Sequence, residues 1–215
     1  MKLEIRSVVM PLIVLNAAGF MLELLEFKFI LLAGFTNSFI LVSSDIYSRP
    51  WILLTSMFLH AGINHILFNM YALLIFGPLL EQKIGPKKFL FIYLFSGIFA
   101  AFLSSFFYER ALGASGAIMG IIGALIILMP DLRLLLFFVV PMPLWVAGII
   151  YAAIDLFGVF FPSGVGNIAH IIGIACGLLY GLYLKKQSVR FYKKFSSKKH
   201  LEPEDIEEYL KTGRI

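Results

Sequence analysis

Between residues 8 and 184 the chain alternates long apolar runs with short polar breaks. A bilayer core of about 30 Å is crossed by about 20 apolar helical residues, within a working range of about 17–25. Runs of that kind cover 8–25, 62–80, 89–107, 112–129, 144–161 and 167–184, and they predict six transmembrane helices. Lys2 and Arg6 precede the first run as they would in a signal peptide. No convincing A-x-A site followed by a soluble body accompanies them, so the run is read as a helix. Two apolar stretches are too short to span. "FILLAGFTNSFILV" (29–42) has a polar centre and suits an interfacial or re-entrant segment, whereas "LLLFFVV" (134–140) ends at Pro141 and Pro143. Proline is tolerated in a first helical turn, which starts the fifth helix near Pro143.

Composition makes lipid the solvent. The chain is 60% hydrophobic and 14% charged, against about 45–50% apolar and about 25% charged for a soluble domain. The lone cysteine, Cys176, rules out an internal disulfide and sits in an apolar run as a packing residue. The net charge of +5 concentrates in the tail "KKQSVRFYKKFSSKKH". Such a run can bind nucleic acid, but beside a membrane segment it marks the cytoplasmic face, so a lipid bilayer and no nucleic acid is expected as partner. Six spans place both termini on one side, with Lys2, Arg6, Lys83, Lys87, Lys88, Arg133 and the tail; only Lys28, Arg49 and Arg110 fall opposite. The positive-inside rule then puts both termini in the cytoplasm of a multi-pass cell-membrane protein. The chain divides into a membrane domain, 1–184, and a basic-then-acidic tail, 185–215.

Polar groups inside spans are candidates for function. His65 and Asn69 lie four apart in "HILFN" and share a helix face. Ser115 opens the fourth span in "GASGAIMG", and His170 lies near the start of the sixth in "NIAHIIG". At about 1.5 Å of rise per residue, each falls within about two turns of the outer end of its helix. Small residues, Ala169, Gly173, Gly177 and Gly181 on one span and Gly116, Gly120 and Ala124 on another, recur at four-residue spacing and would let two backbones approach closely. A serine brought to an imidazole is the minimum apparatus for acyl transfer, because histidine takes the hydroxyl proton and later returns it to the leaving amine. His65, Asn69 and the Ser115 backbone N–H would donate to the developing oxyanion.

"GASG", the later "AHIIGIACG", "HAGINHILFN", "RPWILLTSMFLHAG" and "DLFG", in this order, resemble the rhomboid family of intramembrane serine proteases over roughly residues 8 to 184. The resemblance implies an all-α membrane protein, a six-helix rhomboid-like bundle whose first loop, 26–61, lies half-embedded in the outer leaflet. It implies Ser115 as nucleophile and His170 as general base in a dyad without a third acid. His65 and Asn69 would line the oxyanion hole, Gly113 would open the serine loop, and Gly116 and Met119 would support it. Single-span or multi-span membrane proteins are the implied substrates, with no metal or organic cofactor. Two positions depart from the family pattern: Trp51-Ile52 stands where many relatives have Trp-Arg, and Met119 stands where an aromatic residue often stacks on the histidine.

Bland readings attach to the neighbours. Asn167 is a candidate substrate contact, His60 is structural, and Glu81 holds a turn at the cytoplasmic end of the second span. Asp155, the one clearly intramembrane aspartate, is read as a structural hydrogen-bonding group because the family works as a dyad. There is no H-E-x-x-H for zinc, no second intramembrane aspartate for an aspartyl mechanism, and no internal repeat of the transporter kind. The alternative function is that of an inactive rhomboid relative that binds and escorts transmembrane helices without cutting them.

Overall fold

A computed structural model of the chain describes residues 7–26, 28–136, 140–161, 164–196 and 203–212. Helix α1 (Val9–Glu26) leads into a loop that carries two short helices, α2 (Phe35–Phe39) and α3 (Ile52–Thr55), and a short strand, β1 (Leu41–Val42). Then come α4 (Ile63–Ile84), α5 (Pro86–Ser104), strand β2 (Arg110–Ala111) and α6 (Ser115–Leu128). A hairpin of β3 (Arg133–Leu136) and β4 (Val140–Pro143) leads to α7 (Leu144–Phe160), α8 (Asn167–Ser196) and α9 (Pro203–Thr212).

The helix boundaries follow local chemistry. Gly85 stops α4 with a φ of 81°, and its N–H still reaches Glu81 O at 2.8 Å. Pro86, whose fixed φ suits a first helical turn, opens α5 immediately afterwards. Proline therefore starts this helix three residues ahead of the expected 89. Pro143 lies just before α7, which begins at Leu144.

Among the described residues, Val9–Glu26, Ile63–Ile84, Pro86–Ser104 and Asn167–Val189 are long and apolar enough to cross a membrane, whereas α6 and α7 are shorter apolar helices. The fold is thus an all-α helical bundle of a multi-pass membrane protein. Two small antiparallel ladders are added to it, β1 with β2 and β3 with β4. The second ladder takes up most of the apolar stretch 134–140, of which residues 137–139 lie outside the described set.

Helix α6 runs through the middle, packed against α8, α5, α4 and α7. Its Ile118, Ile121 and Leu125 are buried with Leu73 and Leu80 of α4 and Phe89 and Tyr93 of α5. The outward faces are apolar as well: Phe91, Phe95 and Phe99 stack in a row along α5, and Ile149, Ile154 and Phe157 project from α7. A bundle greasy inside and outside has lipid for its solvent.

Carboxylates and backbone pairing hold the first loop in place. Glu26 accepts hydrogen bonds from Gly34 N at 2.8 Å and Thr36 Oγ1 at 2.6 Å. Glu23, one turn earlier on α1, accepts from His60 N at 2.8 Å. Leu41 of β1 pairs with Ala111 of β2, so the loop is tied to the segment that runs directly into Ser115. At the other end of the bundle Glu81 accepts from Ser7 Oγ and Val8 N, both at 2.6 Å, and joins the end of α4 to the start of α1.

Candidate active site

Ser115 is the first residue of α6, preceded by Gly113 in a backbone conformation, φ 118°, that other residues rarely adopt. Gly113 is constrained twice, because a Cβ there would also meet His65 Cε1 at 2.7 Å and Nε2 at 2.8 Å. Its N–H donates to Ser56 O at 2.9 Å, which fixes the turn to the first loop. The first N–H groups of a helix have no intrahelical acceptor, so the start of α6 presents donors beside the serine hydroxyl.

His65 and Asn69 face this turn from α4. His65 Nδ1 accepts a hydrogen bond from Ala61 N at 3.3 Å, which leaves the ring proton on Nε2, the ring nitrogen on the side of Gly113. Asn69 is buried and donates through Nδ2 to His65 O at 2.9 Å, leaving a second amide hydrogen for another acceptor. His60 stands edge-on to His65 with ring centroids 5.0 Å apart. Burial, and then the neighbouring His65, push the His60 imidazole down to about 4.

His170 lies one turn into α8, on the helix that abuts α6. A Cβ at Gly173 would collide with Gly116 O and reach Met119 Cβ at 3.1 Å; one at Gly177 would collide with Gly120 O and reach Ala124 N at 2.8 Å. A Cβ on Gly116 would meet Ala100 Cβ at 2.9 Å and Ala169 O at 3.6 Å. Residues adjacent to Ser115 and to His170 are therefore in backbone contact. A cavity of about 1410 Å³ is lined by Ser115, His170, His65 and Asn69, and also by Gly113, Gly116, Met119 and Asn167. Gly120, Gly173 and Gly177 belong to the helix contact that forms one of its walls. Among the described residues no hydrogen bond joins Ser115 to His170.

Sequence reading missed Tyr151 and Tyr108 and did not give Asp155 its partner. Asp155 of α7, 2% exposed, has Oδ1 3.0 Å from His170 Nδ1. Tyr151, one turn earlier on the same helix, sets its ring 5.9 Å from the His170 ring. An aromatic neighbour for the imidazole thus comes from α7, while Met119 packs against Gly173. Tyr108 accepts a hydrogen bond from Ile168 N at 3.1 Å and caps the helix that carries His170. Asn167 is buried, its side-chain amide so close to Gly158 that a Cβ there would lie 2.5 Å from Nδ2. In the first loop, Ile52 is fully buried beside Leu41 and Ile46. Arg49 pairs with Asp45 and donates to Asn37 O at 2.8 Å, so a guanidinium three residues away anchors the loop that contains Trp51-Ile52. Ser44 and Arg49 hold the Asp45 carboxyl below the usual carboxylate range.

A hydroxyl, two imidazoles and an amide gathered in one cavity among apolar helices define a multi-pass membrane protein with a polar intramembrane site. The chain belongs to the rhomboid family: the family model described as "Rhomboid domain" matches residues 47–187. It is 35% identical over 158 residues to "RHOMBOID-like protein 6, mitochondrial" of Arabidopsis thaliana, covering 69% of this chain and 48% of the relative. It is 33% identical over 163 residues to "Rhomboid protein 1, mitochondrial" of Saccharomyces cerevisiae, covering 71% and 47%. "Rhomboid protease GluP" of Bacillus subtilis is 37% identical over 129 residues, covering 59% of this chain and 24% of the relative. The matched region therefore spans about half the length of the two mitochondrial relatives.

Proposed function

We propose that the protein is an intramembrane serine endopeptidase that cuts membrane proteins in or beside a transmembrane segment. The observation that carries this reading is the single cavity lined by Ser115, His170, His65 and Asn69. Ser115 Oγ attacks the scissile carbonyl and forms a C–O bond while its proton passes to His170 Nε2. The carbonyl electron pair moves onto oxygen, where His65 Nε2–H, the Asn69 amide and the Ser115 N–H stabilise it. The C–N bond then breaks, and the proton on Nε2 leaves with the amine. Water next attacks the acyl ester, His170 takes its proton, and that proton returns to Ser115 Oγ as the new carboxyl group departs. The reaction draws on these side chains and water, without metal or organic cofactor.

The two shorter helices complete a six-span bundle in this reading. With 14 residues at about 1.5 Å each, α6 is about 21 Å long, against about 30 Å of hydrocarbon. A helix anchored near the cytoplasmic face therefore places Ser115 below the outer surface, in reach of water that enters through the polar recess by His65. Both termini lie in the cytoplasm, and 185–215 forms a tail outside the membrane domain. A substrate helix must unwind before its carbonyls, bonded within the helix, become available. Small helix-breaking residues near its outer end favour cleavage. The test is a panel of single-span substrates reconstituted with the protein in liposomes. Cleavage by the wild type and none by Ser115→Ala is the expected result; equal cleavage by both would remove the serine mechanism.

A further inference from the structure

We infer that Asp155 of α7 is a positioning residue for His170 of α8: it touches no reacting atom of the Ser115–His170 dyad and acts by holding the imidazole in one tautomer and orientation. This inference rests on the reading of Ser115 as nucleophile and His170 as base. Asp155 Oδ1 lies 3.0 Å from His170 Nδ1, and both side chains are almost wholly buried. A carboxylate can only accept a hydrogen bond, so the Nδ1 proton is donated to Oδ1 and Nε2 keeps its lone pair. That is the tautomer a base needs in order to take a proton from serine.

The alternative, that Asp155 merely staples α7 to α8, fits the surroundings less well. Burying a carboxylate is costly unless its oxygens are paired. Here Oδ2 has no partner among the described residues, and His170 is the partner of Oδ1. A staple would be made at lower cost by an amide or a hydroxyl. When His170 takes up a proton, by contrast, the buried carboxylate faces a cation and the pair is stabilised at that step. Tyr151 adds the second constraint. It lies four residues before Asp155, on the same face of α7, with its ring tilted 44° against the imidazole. The carboxylate fixes the edge of the ring and the phenol lies beside its plane. Met119 supplies no aromatic ring at this place, and α7 contributes one in its stead.

The experiment combines ring-nitrogen NMR with kinetics on the full chain in lipid bicelles. With ¹⁵N-labelled histidine, and His170→Gln to assign the signal, wild-type His170 is expected to be protonated at Nδ1 and free at Nε2 at neutral pH. Asp155→Asn, nearly identical in shape, is expected to lower kcat by about 10²-fold or more with KM unchanged, the pattern of a lost transition-state interaction. Asp155→Glu, which restores a carboxylate, should recover part of that loss. A wild-type His170 protonated at Nε2, or wild-type kcat in Asp155→Asn, overturns the inference. If Asp155→Asn does not fold, the nitrogen spectrum of the wild type decides alone. Ser115→Ala is assayed in parallel: cleavage by that variant removes the serine reading itself. An inactive Ser115→Ala beside a fully active Asp155→Asn removes only the role of Asp155.

Discussion

Asn69 donates one amide hydrogen back to His65 O and has another to offer the cavity. Losing one oxyanion donor typically lowers kcat by about 10²–10³-fold. Asn69→Ala is expected to show such a loss in steady-state cleavage while Ser115 still reacts with an active-site probe; unchanged turnover would make the residue a packing element. His60 yields a prediction about pH. Its folded value, about 4, lies below the usual histidine value of about 6.5, so the unfolded chain binds the proton more readily. Stability is then level above about pH 6.5 and falls as the pH drops toward 4. Thermal unfolding of the wild type and His60→Gln at several pH values checks this: the gap between them should shift against the wild type as the solution is acidified. A constant gap would mean that His60 takes up protons equally in both states. Ser115, His170, His65 and Asn69 were legible in the sequence because each is a polar residue within an apolar run. Asp155 was legible as an oddity but its partner was not, since spacing along a chain does not say which face of α7 meets α8. Tyr151 and Tyr108 carried no signal, one being an ordinary aromatic in an apolar run and the other a residue in a polar break.

At the scale of elements, α6 and α8 meet where neither can carry a side chain. The four-residue spacing of Gly173, Gly177 and Gly181 announced such a seam, and the collisions a Cβ would make with Gly116 O and Gly120 O give it a location. A leucine at Gly177 would wedge the helices apart, and overpacking of this kind typically costs about 1–3 kcal/mol. A displacement of about 1 Å between reacting groups can cost about 10²-fold in rate. Gly177→Leu is therefore expected to insert into membranes yet lose most cleavage, whereas Leu179→Ala, at an exposed position, should retain it. Wild-type turnover from Gly177→Leu would show that the seam does not govern the site. Hydropathy found the helices but misjudged some ends. Pro86 moved a start, and the hairpin of β3 and β4 was hidden in a run whose apolar residues carry no period to distinguish strand from helix. The loop's anchoring was hidden for a related reason: Arg49 is three residues from the position where relatives carry arginine, and only the folded loop shows it reaching Asp45 and Asn37.

For the molecule as a whole, a composition of 60% hydrophobic residues excludes a soluble body, and the rhomboid match over 47–187 covers all helices that line the cavity. In the proposed function, the apolar bundle holds a few polar groups together in one cavity, and an ordinary serine gains its reactivity from its position among them. That is the central claim, and it can be tested without knowing a natural substrate. The purified protein in detergent is treated with a fluorophosphonate and the adduct is mapped by peptide mass spectrometry. The account predicts a single phosphonyl group on Ser115, absent from His170→Ala. An unmodified Ser115 in the folded wild type, or labelling that survives undiminished in His170→Ala, would contradict it.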